Sequence, residues 1–152
     1  MSEILRAIFP GSFDPFTKGH YDIVMRSIPL FDEIVVAIGQ NTTKSRYFPI
    51  ASMKEKILES FHKVPKVRVE VFNGLTADFA RTVDARYIIR GLRNTTDFEY
   101  ENTISQANKH VSPGLETMFL ITSPHLAYIS STIVRELHKF GANVDEFLPY
   151  KL

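Results

Sequence analysis

The sequence predicts a three-layer α/β sandwich on a five-stranded, mainly parallel sheet. Three observations predict it. Short apolar runs alternate with amphipathic stretches along all 152 residues. The run at 33–39 is almost wholly apolar, the pattern of a strand buried on both faces. No repeat, linker or low-complexity segment interrupts the alternation, and the length suits one domain, so 1–152 are read as a single unit.

The elements follow in order. Residues 4–9 form an apolar run closed by Pro10-Gly11, a strand and then a turn. Over 19–30, Ile23, Val24, Ile28 and Phe31 recur at helical spacing, and Pro29 should kink or end that helix. Residues 33–39 are the second strand, and the polar stretch 40–49 is loop. Ser52 to Glu55 reads as a capping box for a helix running to about 62. Residues 67–72 alternate as a third strand, 75–83 form a short helix and 86–89 a fourth strand. Thr96 to Glu99 reads as a second capping box, opening a helix to about 110 and accounting for Glu99. Residues 116–121 make the fifth strand; Ser130-Ser131-Thr132 precedes a last helix at 133–140, and Phe147 and Leu148 should dock the tail.

Composition narrows the chemistry. The chain has no cysteine, which excludes disulfides, thiolate metal sites and cysteine nucleophiles. A net charge of +1 gives no global argument for nucleic acid or an anionic membrane surface, so anion recognition must come from locally placed cations. The first residues lack the basic and apolar regions of a signal peptide, and no apolar run is long enough to span a bilayer. A cytoplasmic protein is the expectation.

Ligands of parallel sheets bind beyond the carboxyl ends of the strands, and four polar segments fall there. After the first strand comes GSFDPFTKGH, residues 11–20. Gly11 and Gly19 permit close backbone approach, Ser12 carries a hydroxyl, and Gly19-His20 begins a helix whose free N–H groups favour an anion. His20 could add a charge-assisted hydrogen bond to a phosphoryl oxygen. Arg90 and Arg93 follow the fourth strand, where a tight turn at Gly91 would let both guanidiniums face one cleft. Lys44 stands in the loop after the second strand, and Glu101 on the helix after the arginines. Glu101 could accept from a ribose or adenine, or orient Arg93. The hydroxyls of Ser130, Ser131 and Thr132 could cap their helix, cradle a phosphate, or divide those tasks.

GSFDPFTKGH resembles the signature of the nucleotidyltransferase superfamily. Its TKGH form, with Ile89 to Arg93, Asp97 to Glu101 and Ile129 to Thr132 in order, resembles the bacterial phosphopantetheine adenylyltransferases. The resemblance implies a Rossmann-like nucleotidyltransferase fold, ATP and 4'-phosphopantetheine as substrates, magnesium as cofactor, no protein metal cage, and a hexamer. It implies catalytic roles for His20, Lys44 and Arg93. Nucleotide contacts would come from Ser12, Phe13, His20, Gly91, Leu92, Arg93 and Glu101, and from the stretch Leu126, Ala127, Tyr128, Ile129, Ser130, Ser131 and Thr132. Acceptor contacts would come from Ser12, Lys44, Thr76 and Arg90. Two positions depart from the family pattern: Ser12 stands where well-known members carry threonine, and Thr76 where many carry an apolar residue.

Other readings stay open on the residues alone. A cytidylyltransferase usually shows histidine at the position of Thr17, and a nicotinamide mononucleotide adenylyltransferase fits the RGLR and DFEYE stretches poorly. A non-catalytic nucleotide sensor would have no need of His20, Lys44 and Arg93 together. Phosphate itself is the expected nucleophile, already anionic near neutral pH, so no general base is required.

Overall fold

The computed structural model describes residues 3–40 and 45–152. Among them, β1 (Arg6–Gly11), β2 (Glu33–Gly39), β3 (Val67–Phe72), β4 (Tyr87–Leu92) and β5 (Glu116–Ile121) form one sheet in the order β3-β2-β1-β4-β5. Every pairing is parallel. Parallel neighbours need crossovers, supplied by α1 (Lys18–Ser27), α2 (Ile50–Ser60), α3 (Thr76–Thr82) and α4 (Thr95–Val111); α5 (Ser131–Lys139) follows β5. The chain winds outward from β1 through β2 to β3, then returns to β4 beside β1. That reversal is where a doubly wound sheet opens a crevice.

Strand alternation builds two cores. Ala7 and Phe9 of β1 and Ile34, Val36 and Ile38 of β2 face one core, with Val24 of α1, Ile57 of α2 and Val134 of α5. Ile8, Val35 and Ile88 point the other way, onto Ala77 and Ala80 of α3 and onto Leu115. Sheet residues buried on both sides explain the uninterrupted apolar runs. Phe147, Leu148 and Tyr150 of the tail pack into the first core, as expected for 147 and 148.

The sheet splits where it matters. β1 and β2 pair from Arg6↔Glu33 to Gly11↔Ile38, but β1 and β4 pair only at Ala7↔Tyr87 and Ile8↔Ile88. Beyond Ile8 the two strands part, while β4 stays with β5 to Leu92↔Ile121. Pro10, which has no N–H to give a neighbour, lies at the opening.

Several boundaries differ from the expected ones. β1 starts at Arg6, because its register with Glu33 begins there, and Ile4 and Leu5 are exposed. β4 runs on through Arg90, Gly91 and Leu92, so no turn forms at Gly91. A Cβ at Gly91 would come within 3.1 Å of Ile23, so its role is to let α1 lie close against the strand. α1 stops at Ser27 and Pro29 sits in a 3-10 turn, since its missing N–H and its ring keep it from continuing the α-helix. Neither expected capping box forms. α2 begins earlier, with Pro49 as its N-cap, and Ser52 donates back to the Pro49 carbonyl at 2.9 Å. α4 is capped by Asn94, whose side chain accepts from the Asp97 N–H at 2.9 Å; Thr96 and Glu99 take no part. α5 starts at Ser131 with Ser130 as its cap.

Candidate active site at the split between the first and fourth strands

Two cavities occupy the crevice. The smaller, about 280 Å³, is lined by Ser12, His20, Arg90, Arg93 and the N-terminus of α5. The larger, about 630 Å³, extends over Gln40, Phe72, Thr76, Tyr100 and Asn108. Gly11, Ser12, Arg90 and Glu101 line both, so the cavities join at the end of β1.

His20 is the third residue of α1 and closes a reciprocal cap with Thr17. The Thr17 hydroxyl accepts from the His20 N–H, and the Thr17 N–H donates to His20 Nδ1 at 2.9 Å. An Nδ1 that accepts a hydrogen bond leaves the ring proton on Nε2. Phe13, Phe16 and Phe9 pack around the ring at centroid distances of 5.0, 5.4 and 6.2 Å. That burial, followed by the charges of Arg90 and Arg93, lowers the pKa from 6.5 to about 3. The sequence raised a charge-assisted bond from this residue; the structure makes it a neutral Nε2–H donor instead. The positive charge comes from the two guanidiniums.

Each arginine is held by its own acid. Arg90 forms a fork on Glu101, Nε to Oε2 at 2.8 Å and Nη2 to Oε1 at 2.5 Å, and also donates to the Pro10 carbonyl. Glu101 is 7% exposed, a carboxylate kept inside by that pairing. Glu101 therefore orients Arg90, not Arg93 as one of its expected roles had it. Arg93 is oriented by Asp97, which accepts its Nε at 3.0 Å, its Nη2 at 3.2 Å and its backbone N–H at 2.9 Å. Burial pushes the Asp97 carboxyl up, but the hydrogen bonds of Arg93 and then the charges of Arg93 and Arg90 outweigh it, and the pKa falls below the usual value. Asp97 was missed as a site residue. Its signal in the sequence is the i, i+4 spacing from Arg93, while the residue itself falls inside the stretch 96–99 that reads as a capping box.

The hydroxyls of α5 divide the work. Ser130 caps the helix, accepting from the Ile133 N–H at 3.1 Å. Ser131 donates to the Pro15 carbonyl at 2.7 Å, and Thr132 accepts from Arg135 at 3.3 Å. All three, with Ile129, line the smaller cavity, where free N–H groups of the helix favour an anion. Ser12, Phe13, His20, Gly91, Arg93 and Glu101 line it too. Thr76 lines the larger one. Leu92, Leu126, Ala127 and Tyr128 line neither: Leu126 is buried and Tyr128 faces outward. Lys44 lies outside the described residues.

Arg46 was given no role from sequence, yet it ties the loop after β1. It donates to the carbonyls of Ser12 at 2.5 Å, Phe13 at 3.0 Å and Phe48 at 3.0 Å. Asp14 answers by accepting from the N–H groups of Tyr47 and Phe48 at 2.9 and 2.8 Å. No local pattern announces such a contact across more than 30 positions.

Among the described residues no three His, Asp or Glu side chains group to hold a metal ion. The two acids of the smaller cavity are engaged by arginines. The donor set suits anionic oxygens, not a resident cation.

The cytidylyltransferase-like family model matches residues 8–137. A phosphopantetheine adenylyltransferase of Cytophaga hutchinsonii is 62% identical over 152 residues, the whole of both chains. One from Bacteroides fragilis is 49% identical over 144 residues, 95% of each chain. Among solved structures, a bifunctional NMN adenylyltransferase/ADP ribose pyrophosphatase of Francisella tularensis aligns with a TM-score of 0.73 at 14% identity, covering 97% of this chain and 45% of that one. At that identity the likeness is one of fold.

Proposed function

The chain belongs to the cytidylyltransferase-like family and, within it, to the phosphopantetheine adenylyltransferases, and we propose that its two joined cavities are where ATP and 4'-phosphopantetheine meet. The enzyme transfers the adenylyl group of ATP to the phosphate of 4'-phosphopantetheine, giving dephospho-coenzyme A and pyrophosphate in coenzyme A biosynthesis. The observation that carries the site assignment is the convergence of His20, Arg90 and Arg93 on one cavity that opens at Ser12 into a larger one.

The smaller cavity takes the phosphates of ATP. Arg93, the α5 N-terminus and the His20 Nε2–H donate to phosphoryl oxygens there. The larger cavity takes the pantetheine arm, with Thr76 on its wall, and Arg90 stands between the two substrates. Lys44 is assigned to the acceptor phosphate on family resemblance. The acceptor phosphate attacks the α-phosphorus, and the bond to the β-phosphate bridging oxygen breaks, releasing pyrophosphate. The nucleophile is already anionic near neutral pH, since the second phosphate pKa is about 6. His20 is therefore not asked to take a proton; its neutral N–H marks where charge develops.

Alignment of two mutually repelling phosphates can supply about 7–11 kcal/mol. Each fixed donor aimed at developing charge can add about 2.7–4 kcal/mol. Magnesium would enter with the triphosphate and screen its charge; among the described residues no cluster of His, Asp or Glu forms a cage for it.

The family implies a homo-oligomer, a hexamer in this proposal. Ile121, Tyr128 and Phe140 are large apolar residues left exposed on the single chain, which supports further surface being covered. Light scattering should then give six times the 17.4 kDa chain mass. Cytoplasmic location follows from the substrates; no described helix is long and apolar enough to cross a membrane.

One assay tests the activity. Purified protein with ATP, magnesium and 4'-phosphopantetheine should yield dephospho-coenzyme A by mass. Turnover with CTP, or with nicotinamide mononucleotide as acceptor, and none with 4'-phosphopantetheine, would overturn the proposal.

A further inference from the structure

The loop from Ser12 to Phe16 joins β1 to the helix that carries His20. Its backbone is in an unusual state. Phe13 has φ of 46°, in the left-handed region that a bulky side chain rarely enters. Such a conformation persists only where the surroundings over-determine it. The surroundings here are specific. All five consecutive carbonyls of the loop accept from side chains brought from elsewhere. Arg46 donates to Ser12 O at 2.5 Å and Phe13 O at 3.0 Å. Arg135 of α5 donates to Asp14 O at 2.7 Å. Ser131 of α5 donates to Pro15 O at 2.7 Å. Tyr150 of the tail donates to Phe16 O at 2.7 Å.

The held loop carries two rings that shape the site. Phe13 meets the His20 imidazole edge-on at 5.0 Å, and Phe16 lies 5.4 Å away. Phe13 also lies under Gly11, where a Cβ would come within 2.8 Å of the ring. Any relaxation of the loop therefore moves the walls around His20 and the opening at Ser12.

We propose that Arg46, Arg135 and Tyr150 are positioning residues for adenylyl transfer, which lock the loop between β1 and α1 so that His20 and the α5 N-terminus hold a fixed spacing on one set of phosphates. The geometry distinguishes this from a generic packing role. The donors come from three separate segments and meet one loop, so each constrains the same coordinates. Ser131 and Arg135 share α5 with the Ser130 cap, which couples that helix directly to the His20 loop. Burial, with the nearby charge of Asp14, pushes the Tyr150 hydroxyl's pKa upward, so it stays a donor. The neighbouring cavity lined by Arg46, Arg135 and Lys139 looks cationic, but both guanidiniums are already engaged by the loop carbonyls.

The proposal rests on the assignment of His20 to phosphoryl transfer, and the test separates the two. Tyr150→Phe removes one hydroxyl and leaves its ring packed. Arg46→Met removes the fork, and Arg46→Lys restores only the charge. Steady-state kinetics of these and of the Tyr150→Phe/Arg46→Met pair should show kcat reduced roughly tenfold in each single variant, with KM for ATP within about twofold, about 1.4 kcal/mol per tenfold step. The double variant should lose less than the product of the singles, because both act on one loop. Arg46→Lys should recover only part of the rate, lacking the fork. Nitrogen-15 NMR of the His20 ring reads the loop without turnover. The ring should stay neutral at about pH 5 in the parent and gain protonated character in the variants as its packing loosens. If Arg46→Met does not fold, Tyr150→Phe alone decides on both readouts. Parental kcat with an unchanged His20 signal would overturn the positioning role. So would multiplicative losses with an unchanged ring signal. A shifted ring signal with parental kcat would instead sink the assignment of His20 while leaving the loop contacts in place.

Discussion

Lowering the pH should cost this protein stability through one imidazole. His20 has a pKa of about 3 in the folded chain, against 6.5 for an unperturbed histidine. Between those values the unfolded chain binds a proton at this ring and the folded chain does not, so stability rises with pH across that window. From about pH 8 to about pH 5 the linkage amounts to about 2 kcal/mol for this ring alone. Further acidification towards pH 3 raises the loss to about 4–5 kcal/mol, after which it levels off. The other four histidines, at 62, 110, 125 and 138, are exposed. His20→Gln removes the titration while keeping a side chain that suits the third position of a capping box. Urea unfolding of both proteins at the two pH values isolates the ring: the parent should lose about 2 kcal/mol more than the variant. Equal losses in the two proteins, or a His20 ring titrating near its ordinary value by NMR, would refute the neutral-donor account of this residue.

Three further outcomes are expected. Glu101→Gln keeps one acceptor for Arg90 but removes the charge, and should lower unfolding free energy by about 1.5–3 kcal/mol together with kcat/KM; unchanged urea midpoints would show that the fork of 2.8 and 2.5 Å contributes little. Asp97→Asn loosens Arg93 on a half-exposed pair, so the effect should fall on nucleotide binding, read as several-fold weaker ATP affinity by calorimetry with little change in melting temperature. Gly11→Ala places a Cβ 2.8 Å from the Phe13 ring, which must move off His20; kcat should fall by at least about tenfold, and a fully active variant would show that Phe13 is free to shift.

Much of the fold was legible locally. The strands at 33–39, 67–72 and 116–121 match the structure: the central one is buried on both faces and reads as an unbroken apolar run, and the two half-buried edge strands read as short apolar or alternating runs. The caps were less legible. Ser52 and Thr96 each satisfied the pattern for a helix start, yet Pro49 and Asn94 hold those positions. A cap is decided by where the preceding chain turns, and several polar residues within one turn compete for it.

For the site, the residue types and their order along the chain were set by the sequence itself: His20, Arg90, Arg93 and the Ser130–Thr132 stretch all reach one cavity. Which partner each of them meets was decided only in three dimensions. Glu101 is eleven positions from Arg90, Arg46 is 34 from Ser12, and Tyr150 is 134 from Phe16. The neutrality of His20 is likewise a property of its surroundings, since three phenylalanines must first pack around the ring and the charges of two guanidiniums come near it. Periodicity and capping act between near neighbours and leave a trace in the sequence; desolvation and long-range hydrogen bonds exist only once the chain has closed on itself.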